Sequence, residues 1–201
     1  MGRSRIHDEA TATGLLDAAE AIVDADGMDA LTVRRVADRV GTTTRAVYST
    51  LGSKEALLAA LVVRAFDLLG ARVAALPTTA DPVADVVTAG TEGFRAWALE
   101  HPALFRAGFL HQLSVPDDTW SRFGNPAGKA LAELVTLIER LQQADGLGKR
   151  SVADATIQFD ALCEGLAIMD LRGGMPYPAG DTHAIWNDAL HALIAGWSIR
   201  R

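Results

Sequence analysis

The stretch that decides the fold runs from Leu31 to Leu58 and reads LTVRRVADRVGTTTRAVYSTLGSKEALL. Its first half predicts a short helix that Thr32 caps and Gly41 ends. Its second half predicts another short helix after three threonines, and then a long helix that Ser53 caps. A helix-turn-helix needs two short helices, a glycine at the turn and a small residue at the crossing, which Ala37 supplies. We therefore predict a helix-turn-helix here.

The second of these helices would present polar side chains to the outside. These are Thr42, Thr43, Thr44, Arg45 and Tyr48. In a major groove, hydroxyl and guanidinium groups can reach base edges or phosphates. The alternative is a small helical element with solvated threonines and arginines, of the kind that helical enzymes contain. Arg35 and Arg39 fit solvated helix charges as well as they fit phosphate contacts.

Apolar residues recur at three- and four-residue spacing along the rest of the chain, and no long stretch alternates with period two. The pattern predicts an all-α fold with about nine helices. Their approximate bounds are 11–26, 33–40, a short segment that holds 46–48 and ends near 51, 53–76, 81–100, 102–109, 126–144, 151–172 and 181–199. A loop around Trp120 is expected at 114–126, and turns are expected at 146–148 and 173–180.

Composition sets the broad class of protein. The chain has 201 residues, of which 49% are hydrophobic and 22% charged, values that are ordinary for a globular protein. The longest apolar run, Ala56 to Val63, is far shorter than the roughly 18 residues that a membrane span needs. Arg3 and Arg5 are not followed by the apolar stretch that a signal peptide needs. Cys163 is the only cysteine in the sequence. We expect a cytoplasmic protein with no membrane role, no intramolecular disulfide and no cysteine-based zinc site.

Charge is distributed unevenly along the chain. The whole sequence has 19 Lys and Arg residues against 25 Asp and Glu residues. Residues 30–66 nevertheless hold six basic and two acidic side chains, whereas residues 67–201 hold 11 basic and 16 acidic ones. A short basic module on an acidic body suits one local phosphate-binding surface, although scattered helix charges could give the same counts.

The candidate enzyme motifs in the sequence are incomplete, so no catalytic residue, metal site or cofactor is predicted. The segment Gly146–Ser151 resembles a phosphate loop only superficially, because Gln143 stands where its first glycine belongs and Arg150 where its hydroxyl belongs. His183 and His191 are too far apart on one helix to share a metal ion without another element. A helical small-molecule carrier or a small enzyme with no DNA role remains the alternative.

Over roughly Arg5 to Arg64 the sequence resembles the TetR/AcrR family of bacterial transcriptional regulators. The resemblance rests on the patterns L-T-x-R-x-V-A-x-x-V-G and A-V-Y-x-x-x-G-S-K-E-A-L-L. It implies phosphate contacts from Thr32, Arg34, Tyr48 and Lys54, and base contacts from Thr43, Thr44 and Arg45. The chain departs from the family at Ser49, Thr50 and Leu51, where an aromatic residue or His commonly precedes a Phe.

The resemblance also implies two domains, a DNA-binding domain at 1–66 and a ligand-binding and dimerisation domain at 67–201. The implied function is a ligand-responsive regulator, a repressor in this prediction, that binds palindromic double-stranded operator DNA as a homodimer and is released by a small, mostly apolar effector. The candidate ligand-binding residues are Phe94, Trp97, Phe105, Phe109, Leu110, His111, Trp120, Phe123 and Phe159. Each aromatic residue among them could equally belong to the core.

The last two predicted helices are apolar on more than one side, so one face can pack on the domain core and another on a partner chain. In TetR-like proteins the final two helices form a four-helix dimer interface. The candidate interface residues are Ile157, Ala161, Ile168, Leu171, Ala184, Ala192 and Ala195. Packing within a monomer is the alternative for these helices.

Overall fold

Nine helices account for most of residues 2–110, 126–172 and 181–198, the parts of the chain that the computed structural model describes. No strand occurs in those parts, and the predicted all-α fold class is confirmed. The helices are α1 Gly2–Asp26, α2 Val33–Val40, α3 Thr44–Leu51, α4 Lys54–Ala74, α5 (Pro82–Thr88, Ala89–Arg95 and Ala96–Glu100), α6 (Pro102–Phe105 and Arg106–Leu110), α7 Pro126–Gln143, α8 Val152–Leu171 and α9 Thr182–Ser198. A single 3₁₀ turn, Met28–Ala30, follows α1.

Two features of the helices differ from the sequence prediction. Helix α1 begins at Gly2 rather than at Thr11, because the preceding residues include no proline and simply continue its turns. Helices α5 and α6 are not regular, since Ala89–Arg95 and Arg106–Leu110 are π-helical. The predicted loop at 114–126 falls almost wholly outside the described residues, and the predicted turn at 173–180 falls wholly outside them.

Side-chain caps fix where the helices begin. The hydroxyl of Thr32 accepts a hydrogen bond from the backbone N–H of Arg35 at 3.2 Å, and Ser53 caps α4 through Ala56 at 3.1 Å. At α5 the carboxylate of Asp81 accepts from two backbone N–H groups, and a proline occupies the first turn. These caps satisfy donors that a helix cannot satisfy itself, so the predicted starts are confirmed.

By their internal contacts the residues form two compact units. The first unit comprises Met1–Phe66 and Pro102–Pro126, and the second comprises Asp67–His101 and Ala127–Arg201. Helix α4 contributes residues to both units. The predicted domain boundary between residues 66 and 67 stays a prediction, because the first unit also includes a segment from the middle of the chain.

In the first unit, α1 packs on α2, α3 and α6. Its core is built from fully buried apolar side chains, including Leu15, Ile22, Leu31, Val36, Val47, Leu57 and Phe105. Ion pairs also link α1 to α4. Arg64 lies 2.6 Å from Asp17 and 3.4 Å from Glu20, which fastens α4 to α1.

In the second unit, α5 packs on both α8 and α9. The core holds three fully buried tryptophans together with aliphatic and aromatic side chains, including Trp97, Trp186, Trp197, Phe94, Ile138, Leu141, Phe159 and Leu190. None of the described helices is both long and apolar enough to cross a bilayer.

Candidate nucleic-acid interface

Helices α2 and α3 form the predicted helix-turn-helix, and its turn depends on Gly41. This residue has a φ of 72°, in the left-handed region that a side chain disfavours. The turn is closed by Thr42, whose N–H donates to the carbonyl of Ala37 at 2.9 Å. Val36 and Val47 are buried on the inner faces of the two helices. The buried anchors Val36 and Val47, the buried small residue Ala37 and the turn residue Gly41 therefore agree with the helix-turn-helix that the sequence predicts.

The predicted DNA-binding residues lie at the surface of the first unit. Seven of them are exposed and one, Thr42, is half-buried; the exposed ones are Thr32, Arg34, Thr43, Thr44, Arg45, Tyr48 and Lys54. They come from the start of α2, the start and outer side of α3, and the first residue of α4. Helix N-termini are favourable positions for phosphate, because their backbone N–H groups carry partial positive charge.

Two of the threonines have a structural task as well. The hydroxyl oxygen of Thr32 accepts from Arg35, and that of Thr43 accepts from Ala46 at 3.2 Å, so each is an N-cap. A hydroxyl that accepts in this way still has its own O–H to donate. Both residues can therefore cap their helix and donate to a phosphate or base acceptor at the same time.

The arginines of the basic module separate into two groups. Arg35 pairs with Asp26 and also donates to the carbonyl of Ala30 at 3.4 Å, so it links α2 to α1. Arg34 is loosely paired with Asp38 at 3.9 Å in an exposed pair, which contributes little to stability. Within the described part of the chain, the side chains of Arg45 and Tyr48 make no hydrogen bond or ion pair. Arg45 is thus available for a ligand, whereas Arg35 is committed to the fold.

Ser49 is an exposed residue of α3 that the sequence analysis did not place in the site. It follows Arg45 by four residues and so shares the outer face of the helix with it, opposite the buried Val47. That spacing was the signal that could have identified it. Its neighbour Thr50 is different, because the Thr50 hydroxyl donates to the carbonyl of Ala46 at 3.0 Å within the same helix.

The predicted ligand-binding residues fall in both units. In the second unit Phe94 and Trp97 are buried with ring centroids 6.1 Å apart in an edge-on arrangement, and Phe159 is buried as well. In the first unit Phe105 and Phe109 stack at 5.3 Å. Leu110 is exposed, while His111, Trp120 and Phe123 lie outside the described residues. The assignment of these residues to a ligand site remains a prediction.

A small cavity of about 90 Å³ lies in the second unit, and none of the predicted ligand-binding residues lines it. One wall is Asp85, which is 4% exposed and accepts hydrogen bonds from Thr79 and, at 2.5 Å, from Arg140. Burial raises the pKa of Asp85, but these hydrogen bonds and the Arg140 charge outweigh it and leave the pKa lowered. The carboxylate is thus ionised, and its oxygens already accept hydrogen bonds from protein groups. Through Thr79 and Arg140 it links the segment before α5 to α7.

The predicted dimer residues lie on the outer sides of α8 and α9. Ile157 is 67% exposed, and the others are exposed or half-buried; these are Ala161, Ile168, Leu171, Ala184, Ala192 and Ala195. The opposite sides of the two helices are buried in the core through Phe159, Cys163, Trp186 and Leu190. A large exposed isoleucine beside small residues is a surface that another helix can approach closely.

A family model described as bacterial regulatory proteins of the tetR family matches residues 15–61, and one described as a tetracyclin repressor-like C-terminal domain matches residues 87–193. No curated protein sequence gave a significant match.

Solved structures are similar in fold over nearly the whole chain. A protein of unknown function from Rhodococcus sp. RHA1 is 19% identical with a TM-score of 0.78, covering 94% of this chain and 95% of that one. A tetR-family regulatory protein from Rhodococcus RHA1 is 18% identical with a TM-score of 0.72, covering 92% and 96%. A TetR variant from Acinetobacter baumannii in complex with minocycline is 21% identical with a TM-score of 0.64, covering 90% and 93%.

Proposed function

Because this chain belongs to the TetR family of transcriptional regulators, we propose that it is a repressor that binds palindromic operator DNA as a homodimer and is released by a small, mostly apolar effector. Family membership points to a DNA-binding regulator rather than to an enzyme. The observation that carries the proposal is helix α3. It is anchored through Val47 and presents Arg45 and Tyr48 to the outside.

DNA recognition is divided among three helices in this proposal. Thr32 and Lys54, at the starts of α2 and α4, bind phosphates and set the position of the unit on the duplex. Arg45 and Ser49, on the outer face of α3, contact base edges in the major groove. The phosphate contacts supply affinity that depends on salt concentration, and the base contacts supply sequence preference.

Self-association uses the outer faces of α8 and α9 in this proposal. A two-fold axis through that surface repeats the α3 helix at a fixed separation, so the DNA must repeat its half-site with the same symmetry. Half-sites about one helical turn apart, roughly 34 Å, or somewhat farther, are therefore expected. Ile157 provides the main apolar contact, and the alanines allow close approach.

The effector binds in the second unit in this proposal, where Phe94, Trp97 and Phe159 concentrate apolar surface. The Acinetobacter TetR variant described above was solved with minocycline, a small organic ligand. An effector dissociates the operator complex only if it binds the DNA-incompetent state more tightly than the competent one. The aromatic surroundings favour an aromatic or acyl compound.

Footprinting on the DNA that flanks the gene tests the proposed function. The wild-type protein should protect two symmetric half-sites at moderate salt. A duplex in which one half-site is scrambled provides the matched control, and its affinity should fall by more than tenfold. Absence of any sequence-specific protection would contradict the repressor function and favour the small-molecule carrier.

A further inference from the structure

The π-helical segment Ala89–Arg95 of α5 lies against the two carboxy-terminal helices. Its Gly90 is in such close contact with α9 that a Cβ atom there would lie 2.5 Å from Leu190 Cδ1. A π-helical turn holds more residues than an α-helical turn and so changes the direction of the side chains that follow. Arg95 is the last residue of this segment.

Arg95 joins three helices. Its Nε donates to Asp170 Oδ2 at 2.9 Å near the end of α8, and its Nη2 donates to Thr182 Oγ1 at 2.9 Å at the first residue of α9. The same Asp170 oxygen accepts from Trp186 Nε1 at 3.1 Å. The side chains of Arg95 and Asp170 are only 17% and 12% exposed. This network is thus a largely buried charged junction of α5, α8 and α9.

The other end of the α8–α9 pair is held differently. There Trp197 Nε1 donates to Gln158 Oε1 at 2.8 Å, a contact that joins the two helices to each other without charge. The junction at Arg95 therefore supplies the charged link that reaches both helices of this pair from α5, whereas the exposed contact of His183 Nε2 with Glu92 Oε1 at 3.3 Å reaches only α9. Loss of Arg95 would leave Asp170 with a buried and uncompensated charge, which a protein relieves by moving the helix ends or admitting water.

We propose that Arg95 is a positioning residue for self-association, which holds the end of α8 and the start of α9 at the mutual angle that the dimer surface requires. The inference rests on the proposed function, because it takes the outer faces of α8 and α9 as that surface. Both helices contribute to one two-fold interface, so a change in their crossing misaligns the partner's copies as well. Arg95 itself does not lie on the outer face.

A second arginine of the same unit offers a matched control. Arg72 donates from Nη1 to Glu100 at 2.7 Å and from Nε to the backbone carbonyl of Glu92 at 2.7 Å, and the side chains of the Arg72–Glu100 pair are 35% and 60% exposed. An exposed pair of this kind contributes little. Arg72→Met removes the same charge as Arg95→Met from the same unit, without touching α8 or α9.

The test is the dimer dissociation constant of the full chain, measured by sedimentation equilibrium at a temperature where circular dichroism shows each variant folded. Arg95→Met should raise this constant at least tenfold, while Arg72→Met should leave it within twofold of wild type. Arg95→Lys, which keeps the charge near Asp170, should restore part of the loss. A role in stability alone would lower the melting temperature and leave the dissociation constant unchanged.

If Arg95→Met does not fold, the neutral pair Arg95→Gln with Asp170→Asn replaces it, since it leaves no unpaired charge, and its dissociation constant should also rise. Equal dimerisation of the wild type and the Arg95 variants would overturn the positioning role while leaving the proposed function intact. A wild-type chain that stays monomeric at every accessible concentration would overturn the proposed dimer, and the positioning role with it.

Discussion

The hydroxyl oxygen of Thr43 accepts a hydrogen bond from the backbone N–H of Ala46 at 3.2 Å, at the first turn of α3. The residue that resemblance assigned to base recognition is therefore also the N-cap of the helix that carries the recognition residues. Stability and DNA binding are coupled at this position, and variants can separate them.

Thr43→Ala removes the cap and should lower the free energy of unfolding by about 1 kcal/mol. Thr43→Asp keeps a side-chain cap, because aspartate is an equally good acceptor at this position, so its stability should stay close to wild type. The added negative charge should nevertheless abolish DNA binding by repulsion from phosphate. Urea denaturation and gel shift on both variants provide the check. DNA binding by Thr43→Asp at wild-type affinity would place α3 away from the duplex.

Ile157→Glu should convert the dimer into a folded monomer, because it places a charge in the outer face of α8 where Ile157 is 67% exposed. Its operator affinity should fall with the loss of the second half-site contact. Leu99→Glu is the matched control, since Leu99 is a 43% exposed apolar residue of α5 that is not among the proposed interface residues. Sedimentation that shows Ile157→Glu still dimeric would move the interface to another surface.

Asp160 predicts a change in stability between about pH 4 and pH 6. Burial, with a contribution from the Glu164 charge, raises the pKa of Asp160 to about 6. The folded chain therefore holds this proton more tightly than the unfolded chain, whose aspartate pKa is about 3.9. The protein gains stability from this group as pH falls from about 6 toward 4 and loses it as pH rises through 6.

Asp160→Asn should remove that penalty. The variant should be about 1 to 2 kcal/mol more stable than wild type at pH 7.5, and the difference should shrink at pH 5. Asp67→Asn, at an exposed position of α4, serves as the control for removing a carboxylate that is not buried. Thermal melts at the two pH values measure the effect. A variant less stable than wild type at pH 7.5 would mean that the Asp160 carboxylate has a stabilising partner.

Asp85 predicts the opposite pH dependence. Burial opposes its ionisation, yet the bonds from Thr79 and Arg140 leave its pKa lowered, so it stabilises the fold above its unfolded pKa and ceases to do so as pH falls below about 4. Asp85→Asn should cost about 2 to 3 kcal/mol at pH 7, because it leaves Arg140 with a weakened partner. The cost should decrease as pH is lowered below about 4 in urea denaturation. A pH-independent cost would assign the effect to packing.

The helices themselves were predictable from the sequence because their signals are local. Apolar spacing locates the helices, and residues such as Thr32, Ser53 and Asp81 mark starts that depend only on the next few backbone N–H groups. The glycine at 41 marks the turn for the same local reason. The exposure of the recognition residues followed from the burial of Val47 on the other side of α3.

Long-range relationships were not predictable. The ion pair of Arg95 and Asp170 joins residues 75 positions apart, and no local pattern indicates such a pairing. The π-helical turns of α5 arise where Gly90 meets Leu190, a contact that only the packed unit defines. The concentration of aromatic residues in the sequence predicts one pocket, but the unit that each aromatic residue joins depends on long-range packing. Phe94 and Phe105 lie in different units.

The central claim is that α3 reads base sequence, and the operator preference of Arg45 variants tests it most directly. The measurement is the ratio of affinities for the footprinted operator and a scrambled duplex of equal length, at one salt concentration, for wild type, Arg45→Ala and Lys54→Ala. Arg45→Ala should lower that ratio by a factor that corresponds to a free energy on the order of 1 to 3 kcal/mol. Lys54→Ala should instead weaken binding to both duplexes alike and reduce the salt dependence of binding. A wild-type ratio near one, or a ratio that Arg45→Ala leaves unchanged, would contradict the account.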